Sequence, residues 1–362
     1  MLVKSPLADL TDSCGARTAA FAQWQMPAHY GDSACEHEAA SSGAVIRDLS
    51  HWTRLTLTGA DHLDFIHRMT TNDIVHLRPG DGCAAVFADN RGRIVELVDL
   101  VRTTEPSTLV MASPPARERL PAWLDRFLFV EKVEVEDITG ATAMVEIWGP
   151  HAADAIRTAL GFDADAAENS GLLSAVGASG PWVIRSARHH GNTGVRLVGD
   201  PPAIARHWRA LLQQGVAPIG EEAAEILRVE AGTPAFESEL TDEHNPWEAG
   251  LEDAIHMDKG CYIGQEVIAR LDTYDKVKQR LVGLRLAGGP PPERGTAVKA
   301  GDRQVGKITS ATRSPLLKCV IALAYIRNTH GAPGTPLVIS SSSSESPDID
   351  AEVIELPVPA GA

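Results

Sequence analysis

The sequence predicts an α+β protein in which a duplicated α+β region is followed by a small β-barrel. Two observations carry this prediction. A strand–glycine–helix pattern occurs twice in the first half of the chain, and short strands separated by turn signals fill the region after Tyr274. We place the boundary between residues 275 and 276, with the barrel at 276–362.

The repeated pattern joins an alternating strand to a helix through a glycine. Residues 54–58 alternate as a strand, break at Gly59, and lead into a segment with apolar residues at helical spacing. Residues 145–148 do the same at Gly149, and their helix would begin at Pro150 and end at Gly161. These joints predict internal units at about 45–140 and 141–275. Intervening strands are predicted at 94–101, 108–112 and 133–138.

The C-terminal strands are short and evenly spaced, which is typical of a small barrel or sandwich. They are predicted at 278–286, 297–299, 304–310, 320–325, 336–339 and 351–356. The stretch Gly301–Lys307 has the spacing of a phosphate-binding loop. However, Ile308 stands where a magnesium-binding hydroxyl is needed, so we interpret this stretch as a β-hairpin.

Composition excludes several classes of partner. The chain has 362 residues and a net charge of -15, so we expect neither nucleic acid nor an anionic membrane to bind it. Asp9 and Asp12 interrupt the apolar stretch that a signal peptide needs, and the apolar run 319–326 is too short to span a membrane. We expect a cytoplasmic monomer.

The cysteines and histidines do not predict a metal site. The five cysteines include no C-x-x-C pair, so free thiols in a reducing compartment fit best. The pair His189-His190 would point to opposite faces of a strand, without a third ligand at a useful spacing.

Two carboxylates stand in an apolar strand. Residues 93–101 predict a strand at the centre of a sheet, and Glu96 and Asp99 would lie on its opposite faces. A buried carboxylate is costly unless it is paired or used in function. Either one end of the strand reaches solvent, or a carboxylate faces a ligand pocket.

Charged residues also follow the predicted helix 221–227. Arg228 and Glu230 are two apart in a segment that ends at Gly232. They could pair with each other or with the amide edge of a heterocycle.

One cysteine lies in a segment that indicates chemistry. Residues 259–266, K-G-C-Y-I-G-Q-E, place Cys261 between glycines, two residues after Lys259 and just before a predicted helix. A nearby lysine and a helix N-terminus both lower the pKa of a thiol, to about 3.5–7.5 in known cases. A small structural residue in a tight loop is the alternative interpretation.

This segment resembles the signature of the YgfZ proteins, which are folate-binding relatives of the glycine-cleavage T-protein implicated in maintaining iron–sulfur clusters. The resemblance covers nearly the whole chain. Further matching stretches stand in the superfamily's order: residues 26–31, 48–50, 71–73, 228–232, 246–251 and 306–310.

The resemblance implies an aminomethyltransferase-type fold, tetrahydrofolate or another reduced folate as the ligand, and iron–sulfur client or assembly proteins as partners. It implies Cys261 and Lys259 as catalytic residues. The implied folate-binding residues are Glu96, Asp99, Arg228, Glu230, Lys259, Tyr262, Gln265, Glu266 and Arg270. The alternative function is that of a folate-dependent aminomethyltransferase or demethylase.

Two departures from the T-protein pattern count against aminomethyl transfer. T-proteins carry an Asp-Asp pair where this chain has Val95-Glu96 or Glu96-Leu97, depending on the alignment. They also carry an R-T-G-Y-T-G-E loop. In its counterpart at 188–195, Asn192 replaces the aromatic residue and Val195 replaces the acid.

Overall fold

The structure is a computed structural model. It describes residues 2–103, 106–164, 173–176, 181–189, 192–274, 276–340 and 347–358. His190 therefore lies outside the described residues, together with Gly191 of the loop at 188–195.

Helices and strands alternate in the first two thirds of the chain, and strands alone fill most of the last third. The helices are α1 Ala8–Ser13, α2 Ser33–Ser42, α3 His62–Met69, α4 Ala116–Asp125, α5 Ala152–Leu160, α6 Pro201–Gln213, α7 Glu221–Ala231 and α8 Gln265–Thr273. Short 3-10 turns lie at Glu252–Ala254 and Asn328–His330. The strands before the barrel are β1 Val3–Lys4, β2 Arg17–Phe21, β3 Trp24–His29, β4 Val45–Asp48, β5 Thr53–Thr58, β6 Asp81–Ala88, β7 Ile94–Arg102, β8 Ser107–Ala112, β9 Glu134–Asp137, β10 Ala143–Trp148, β11 Leu173–Val176, β12 Trp182–His189, β13 Asn192–Gly199 and β14 Ala217–Pro218. The barrel strands are β15 Gln279–Leu286, β16 Ala297–Ala300, β17 Arg303–Ser314, β18 Cys319–Arg327, β19 Pro336–Ile339 and β20 Ile349–Ile354.

The strands form a small sheet, a large sheet and a barrel. Within the described residues, the small sheet has the order β1-β3-β2, and the large sheet has the order β14-β4-β10-β13-β12-β11-β6-β7-β8-β5-β9. The C-terminal strands close into a barrel in the order β15-β18-β17-β16-β19-β20. The predicted α+β fold with a C-terminal barrel is confirmed. The stretch that resembles a phosphate loop is the hairpin between β16 and β17, as expected.

The chain divides into two compact units. Unit 1 contains Met1–Phe87, Glu96–Ala224 and Asp258–Tyr262, and unit 2 contains Ala88–Val95, Glu225–Met257 and Ile263–Ala362. The predicted domain boundary at 275/276, and the limits of the internal units, stay predictions. No helix in the described ranges has the length and apolarity that a membrane span requires.

The two strand–glycine–helix joints have the same geometry. Gly59 and Gly149 both have positive φ, at 102° and 122°. A Cβ at Gly59 would lie 2.1 Å from the carbonyl oxygen of Lys132, and one at Gly149 would lie 2.4 Å from that of Gly43. Lys132 leads towards β9, which pairs antiparallel with β5, and Gly43 leads into β4, which pairs antiparallel with β10. Each joint therefore requires glycine for the same reason, which supports a duplication.

Two helix limits differ from the prediction. Helix α5 begins at Ala152, so Pro150 lies in the turn before it and does not occupy the first helical position. Gly161 ends that helix in the left-handed conformation, as predicted. Helix α7 continues to Ala231, so Arg228 and Glu230 lie on its last turn.

Apolar side chains fill a core in each unit. In unit 1, Ile156 of α5 and Trp208 of α6 pack with Val145 of β10 and Leu197 of β13 in one cluster. In unit 2, alternating strand residues fill the barrel interior, among them Leu284, Val298, Ile308, Val320 and Ile339.

A fully buried arginine connects strand β5 to two loops of unit 1. The side chain of Arg54 is 0% exposed. Its guanidinium donates to the carbonyl oxygens of Trp52 at 2.6 Å, Ser50 at 3.2 Å and Thr139 at 2.7 Å, and its Nε donates to the Thr142 hydroxyl at 2.8 Å. Burial lowers the pKa of Arg54 to about 10, so it stays charged at neutral pH. Its acceptors lie in the loop after β4 and the turn after β9.

We expect Arg54→Met to lower the free energy of unfolding by about 3 kcal/mol or more. Methionine fills a similar volume but leaves several buried oxygens without a donor, and each such group costs about 1–3 kcal/mol. Arg117→Met is the control, since Arg117 pairs with Asp137 on the surface and should contribute about 1 kcal/mol or less. Denaturant titration measures both, and equal losses would contradict the prediction.

Candidate functional site

Strand β7 carries the two carboxylates singled out in the sequence. It lies between β6 and β8 inside the large sheet, so both of its edges are paired. Glu96 is 1% exposed and Asp99 is 7% exposed. The two side chains contact different partners, as their opposite faces predict. Of the two alternatives left open by the sequence, exposure to solvent at one end of the strand does not hold for these two residues.

Glu96 is a buried carboxyl held by the hydroxyl and the backbone amide of Ser113 and by one arginine. The Ser113 hydroxyl donates to it at 3.0 Å, and Nη2 of Arg119, from helix α4, forms a short ion pair with the same oxygen. Burial raises the pKa of Glu96 to about 7, although Arg119 and Ser113 act in the opposite direction. A carboxyl with this pKa is present in both protonation states at neutral pH, which suits a group that accepts or donates a proton.

Asp99 belongs to a buried ion-paired group. Arg196 of β13 donates to Asp99 at 2.6 Å and to Glu146 of β10 at 2.7 Å. The guanidinium carbon also lies 5.4 Å from the centre of the Trp52 ring. Burial alone would lower the pKa of Arg196, but Glu146 and Asp99 raise it above its ordinary value. The Asp99 carboxylate therefore has a structural partner, unlike the ligand-facing role predicted for it.

Arg228 and Glu230 each have their own partners in unit 2. Arg228 donates to Glu225, to Glu239 and to the Ser310 hydroxyl, and Glu230 accepts a hydrogen bond from Ser314 at 2.5 Å. The bonds to Ser310 and Ser314 join the end of helix α7 to the barrel strand β17. The sequence left open whether the two residues pair with each other. In the structure, Arg228 and Glu230 have the separate partners named above.

Lys259 is a structural tie within unit 1. Its ammonium donates to the carbonyl oxygens of His67 at 2.5 Å, Thr70 at 2.7 Å and Asn72 at 2.6 Å. These carbonyls lie at and beyond the end of helix α3, where a cation is favourable. Burial lowers the pKa of Lys259 to about 8.

The three N–H donors of Lys259 are all used, so none remains for a ligand carboxylate. Its Nζ lies 5.1 Å from the centre of the ring of Tyr262, which is also buried. Cys261, in contrast, is exposed. The two side chains therefore differ: Lys259 is buried at the end of helix α3, and the Cys261 thiol lies at the surface. The catalytic and folate-binding roles assigned to these residues stay predictions.

The second glycine of the 259–266 segment permits a close backbone contact in unit 2. Gly264 precedes helix α8 with φ +83°, and a Cβ there would lie 2.4 Å from the carbonyl oxygen of Asp89. On the exposed surface of the helix, Glu266 and Arg270 approach each other at 3.7 Å. These two predicted folate-binding residues therefore lie at the surface, while Gln265 occupies the first position of the helix.

Unit 2 contains a cleft that the sequence did not predict. Its volume is about 700 Å³, within the range of small-molecule sites. The rings of His244 and Tyr325 stack at 3.5 Å in its lining. Three exposed cations, Arg294, Lys307 and Arg327, also line it, together with the acids Asp242 and Glu243. The cleft can accommodate a polar ligand.

The described residues contain no group of three or more potential metal ligands close together. Sequence reasoning missed the partners of the two β7 carboxylates. Glu146 carried a usable signal, because it interrupts the apolar run 143–148 as Glu96 interrupts 94–101. Arg119 and Ser113 carried no such signal.

Comparisons with known proteins match the N-terminal and C-terminal parts of the chain to the same family. Residues 7–259 match a family model described as the GCVT N-terminal domain, and residues 279–358 match the glycine cleavage T-protein C-terminal barrel domain. An aminomethyltransferase from Geobacillus kaustophilus is 31% identical over 333 residues, which cover 90% of this chain and 91% of the relative. A chloroplastic protein of Arabidopsis thaliana, whose name gives its transferase assignment as provisional, is 32% identical over 88% of this chain and 72% of its own length.

The fold is also that of a solved structure. The crystal structure of the glycine cleavage system aminomethyltransferase T from Bartonella henselae superposes with a TM-score of 0.87, covers 99% of both chains and is 22% identical. At that identity the likeness shows the fold alone.

The raised pKa of Glu96 gives a prediction for stability. Between pH 4.5 and 7 the folded protein holds a proton on Glu96 that the unfolded chain has lost, so this group's contribution to stability falls as pH rises through that window. Glu96→Gln removes this dependence. The stability of the variant relative to the parent should therefore rise by roughly 3 kcal/mol from pH 4.5 to 7.5.

Urea titrations across this pH range measure the difference. Glu118→Gln makes the same chemical change at an exposed position of helix α4. The free energy of unfolding of this variant should depend on pH as that of the parent does. A difference for Glu96→Gln that stays constant with pH would contradict the prediction.

Proposed function

From the premise that the chain belongs to the glycine-cleavage T-protein family, we propose that it binds a reduced folate and acts as a folate-dependent transferase of the aminomethyltransferase type. The comparisons favour this function over iron–sulfur support, which the sequence segment 259–266 had placed first. Tetrahydrofolate is the proposed ligand.

The observation that carries the proposal is the burial of Glu96 together with its raised pKa. A carboxyl of pKa about 7 in a buried, polar environment can hold a proton near a substrate nitrogen and release it at neutral pH. Ser113 and Arg119 would fix its orientation. In its ionised form, Glu96 could also accept hydrogen bonds from the N–H edge of a pterin. Folate itself would supply the nitrogen that carries the one-carbon group.

The other predicted contacts differ in how well they suit a ligand. Arg228 is the candidate for a ligand carboxylate, since a guanidinium binds carboxylates with two parallel hydrogen bonds. Asp99 and Glu230 already have protein partners, and Lys259 has none of its donors left. Tyr262, Gln265, Glu266 and Arg270 stay predicted contacts.

We expect tetrahydrofolate to bind with at least micromolar affinity, about -8 kcal/mol. Glu96→Gln should weaken binding about tenfold or more, because the amide cannot accept from two N–H groups as a carboxylate does. Asp99→Asn should have the smaller effect on affinity, since Asp99 faces Arg196. Calorimetry measures the affinities, and formation of methylene-tetrahydrofolate from an aminomethyl donor measures transfer.

Glu118→Gln again serves as the surface control. Absence of heat or thermal shift at millimolar tetrahydrofolate would refute folate binding. Equal losses for Glu96→Gln and Asp99→Asn would refute the assignment of Glu96. Binding without transfer would support the second candidate function.

The second candidate function is support of iron–sulfur enzymes, with client or assembly proteins as partners. The observation that favours it is the exposed thiol of Cys261 within the segment that resembles the YgfZ signature. A monomer with an exposed thiol could meet a client protein directly. Its neighbours Lys259 and Tyr262 are buried and fix the loop from which the thiol projects.

We expect Cys261→Ser to keep the fold and the affinity for folate, because the side chain is exposed and serine is of similar size. If the second function holds, the variant should fail to restore the activity of a radical-type iron–sulfur enzyme in cells that lack this protein. Cys35→Ser is the control, since Cys35 is also exposed. Full restoration by Cys261→Ser, with ordinary alkylation of the parent's thiol at neutral pH, would show that the cysteine is structural.

A further inference from the structure

The outer face of the barrel forms the first wall of the cleft in unit 2. Lys307 of β17 pairs directly with Tyr325 of β18, so their side chains lie side by side on one face of the sheet. Arg327 follows two residues later on β18 and lies on the same face, opposite Gln279 of β15. All four side chains line the cleft. The strand register thus places a lysine and an arginine on neighbouring strands of one wall.

The cations of this wall have no acidic partner in the part of the chain that the structure describes. Arg294, from the segment between β15 and β16, also lines the cleft. Lys307, Arg327 and Arg294 are exposed, and among the described residues none of their side chains takes part in a hydrogen bond or an ion pair. The whole chain has a net charge of -15, so this group runs against the overall charge of the protein. Three such cations around one cleft attract an anion.

A second wall of the cleft is fixed by contacts within unit 2. The ring of His244 stacks on that of Tyr325 at 3.5 Å, and the Tyr325 hydroxyl donates to the carbonyl oxygen of Glu239 at 2.9 Å. Arg93 donates to the carbonyl oxygen of Glu243 at 2.6 Å. These contacts hold the segment that carries Glu239, Glu243 and His244 against the barrel. A wall held in this way limits the entropy that is lost when a ligand binds.

The second wall carries two carboxylates, Asp242 and Glu243, that also line the cleft. Both are exposed, and within the described ranges neither side chain has a hydrogen bond or an ion pair with the protein. A carboxylate accepts hydrogen bonds from hydroxyl or amino groups and repels an anion. The two walls together therefore favour a ligand with an anionic group at one end and hydrogen-bond donors at the other.

We propose that this cleft binds a phosphorylated small molecule, with its phosphate group on the three cations of the first wall and its hydroxyl or amino groups on the two carboxylates of the second. A phosphate group has three acceptor oxygens and a charge of about -1.5 to -2 at neutral pH, so it can bind several cations at once. Arginine binds it with two parallel hydrogen bonds, and lysine binds it as a point charge. The cleft volume of about 700 Å³ suits such a molecule.

The site is independent of the proposed folate-binding function. The described lining residues include none of the residues predicted to bind folate. A purely solubilising role for the cations predicts something different, because every exposed lysine would then attract phosphate to a similar small extent. Lys318 provides the matched control. It is exposed in the turn that joins β17 to β18, at the other end of this strand pair from Lys307.

The first experiment compares the full-length parent with Lys307→Gln, Arg327→Gln and Lys318→Gln. The probe is sorbitol phosphate, titrated by calorimetry at about 0.15 M salt, where long-range attraction between charges is screened. We expect Lys307→Gln and Arg327→Gln each to weaken binding about tenfold, because each removes a charge-assisted hydrogen bond. Lys318→Gln should change the affinity less than twofold. All three positions are exposed, so thermal denaturation should show the parent's stability in each variant.

The second experiment tests the wall that carries the carboxylates. Hexyl phosphate has the same phosphate group and chain length as sorbitol phosphate but no hydroxyl groups, so the parent should prefer sorbitol phosphate. Asp242→Asn should reduce that preference, because an amide oxygen is a weaker acceptor than a carboxylate. The same variant should bind inorganic phosphate more tightly than the parent does, because a repulsive charge has been removed.

Absence of heat with all three probes at millimolar concentration would overturn the inference, and so would equal losses of affinity in Lys307→Gln and Lys318→Gln. Phosphate binding without a preference for hydroxyl groups would overturn the role given to the second wall. Titration with tetrahydrofolate tests the proposed function separately. If tetrahydrofolate fails to bind while sorbitol phosphate binds as expected, folate binding is wrong and the phosphate site stands.

Discussion

The hydrogen bonding of Arg54 is the interaction on which much of unit 1 depends. Its guanidinium is completely buried, and its hydrogen-bond acceptors lie in two loops. These acceptors are backbone carbonyls and one threonine hydroxyl, and none of them is a carboxylate. A buried charge of this kind is tolerable only when nearly every donor is satisfied. The loop after β4 and the turn after β9 must therefore adopt one geometry around it, and β5, which carries Arg54, is held between them.

The other buried cations are satisfied in two different ways. Lys259 binds backbone carbonyls only, as Arg54 mostly does, and so fixes the course of the chain. Arg196 and Arg228 bind carboxylates, and so fix side chains. Carbonyl partners cannot leave without unfolding a loop, whereas an exposed carboxylate can exchange with a ligand. This difference favours a structural role for Lys259.

The sequence predicted most of the fold because the signals for strands, turns and the two glycine joints are local. The alternation in 54–58, the apolar run 94–101 and the turn-separated strands after 276 all depend on neighbours within a few residues. The predicted helix start at Pro150 also depended on local sequence alone, because proline suits a first helical position. In the structure, the close contact at Gly149 places one more turn before α5.

The candidate site was less predictable because its partners are distant in the sequence. Arg196 lies 97 residues from Asp99, and Lys259 lies 192 residues from His67. The apolar run around a carboxylate predicts that it is buried. It does not predict which cation pairs with that carboxylate. The segment 259–266 shows the same limit, since its lysine and its cysteine are neighbours in sequence and differ in burial.

The two carboxylates of β7 show how one strand can serve structure and chemistry together. Asp99 faces a cation that also binds Glu146, so its carboxylate is held within a buried ion-paired group. Glu96 has a single arginine, which is itself partly exposed, and a hydroxyl; these partners do not offset burial, and its pKa rises to about 7. The strand alternation that puts the two acids on opposite faces thus separates an acid held by Arg196 from an acid whose pKa is raised by burial. The proposed transferase must manage a proton at a nitrogen, and a carboxyl with the pKa of Glu96 suits that task.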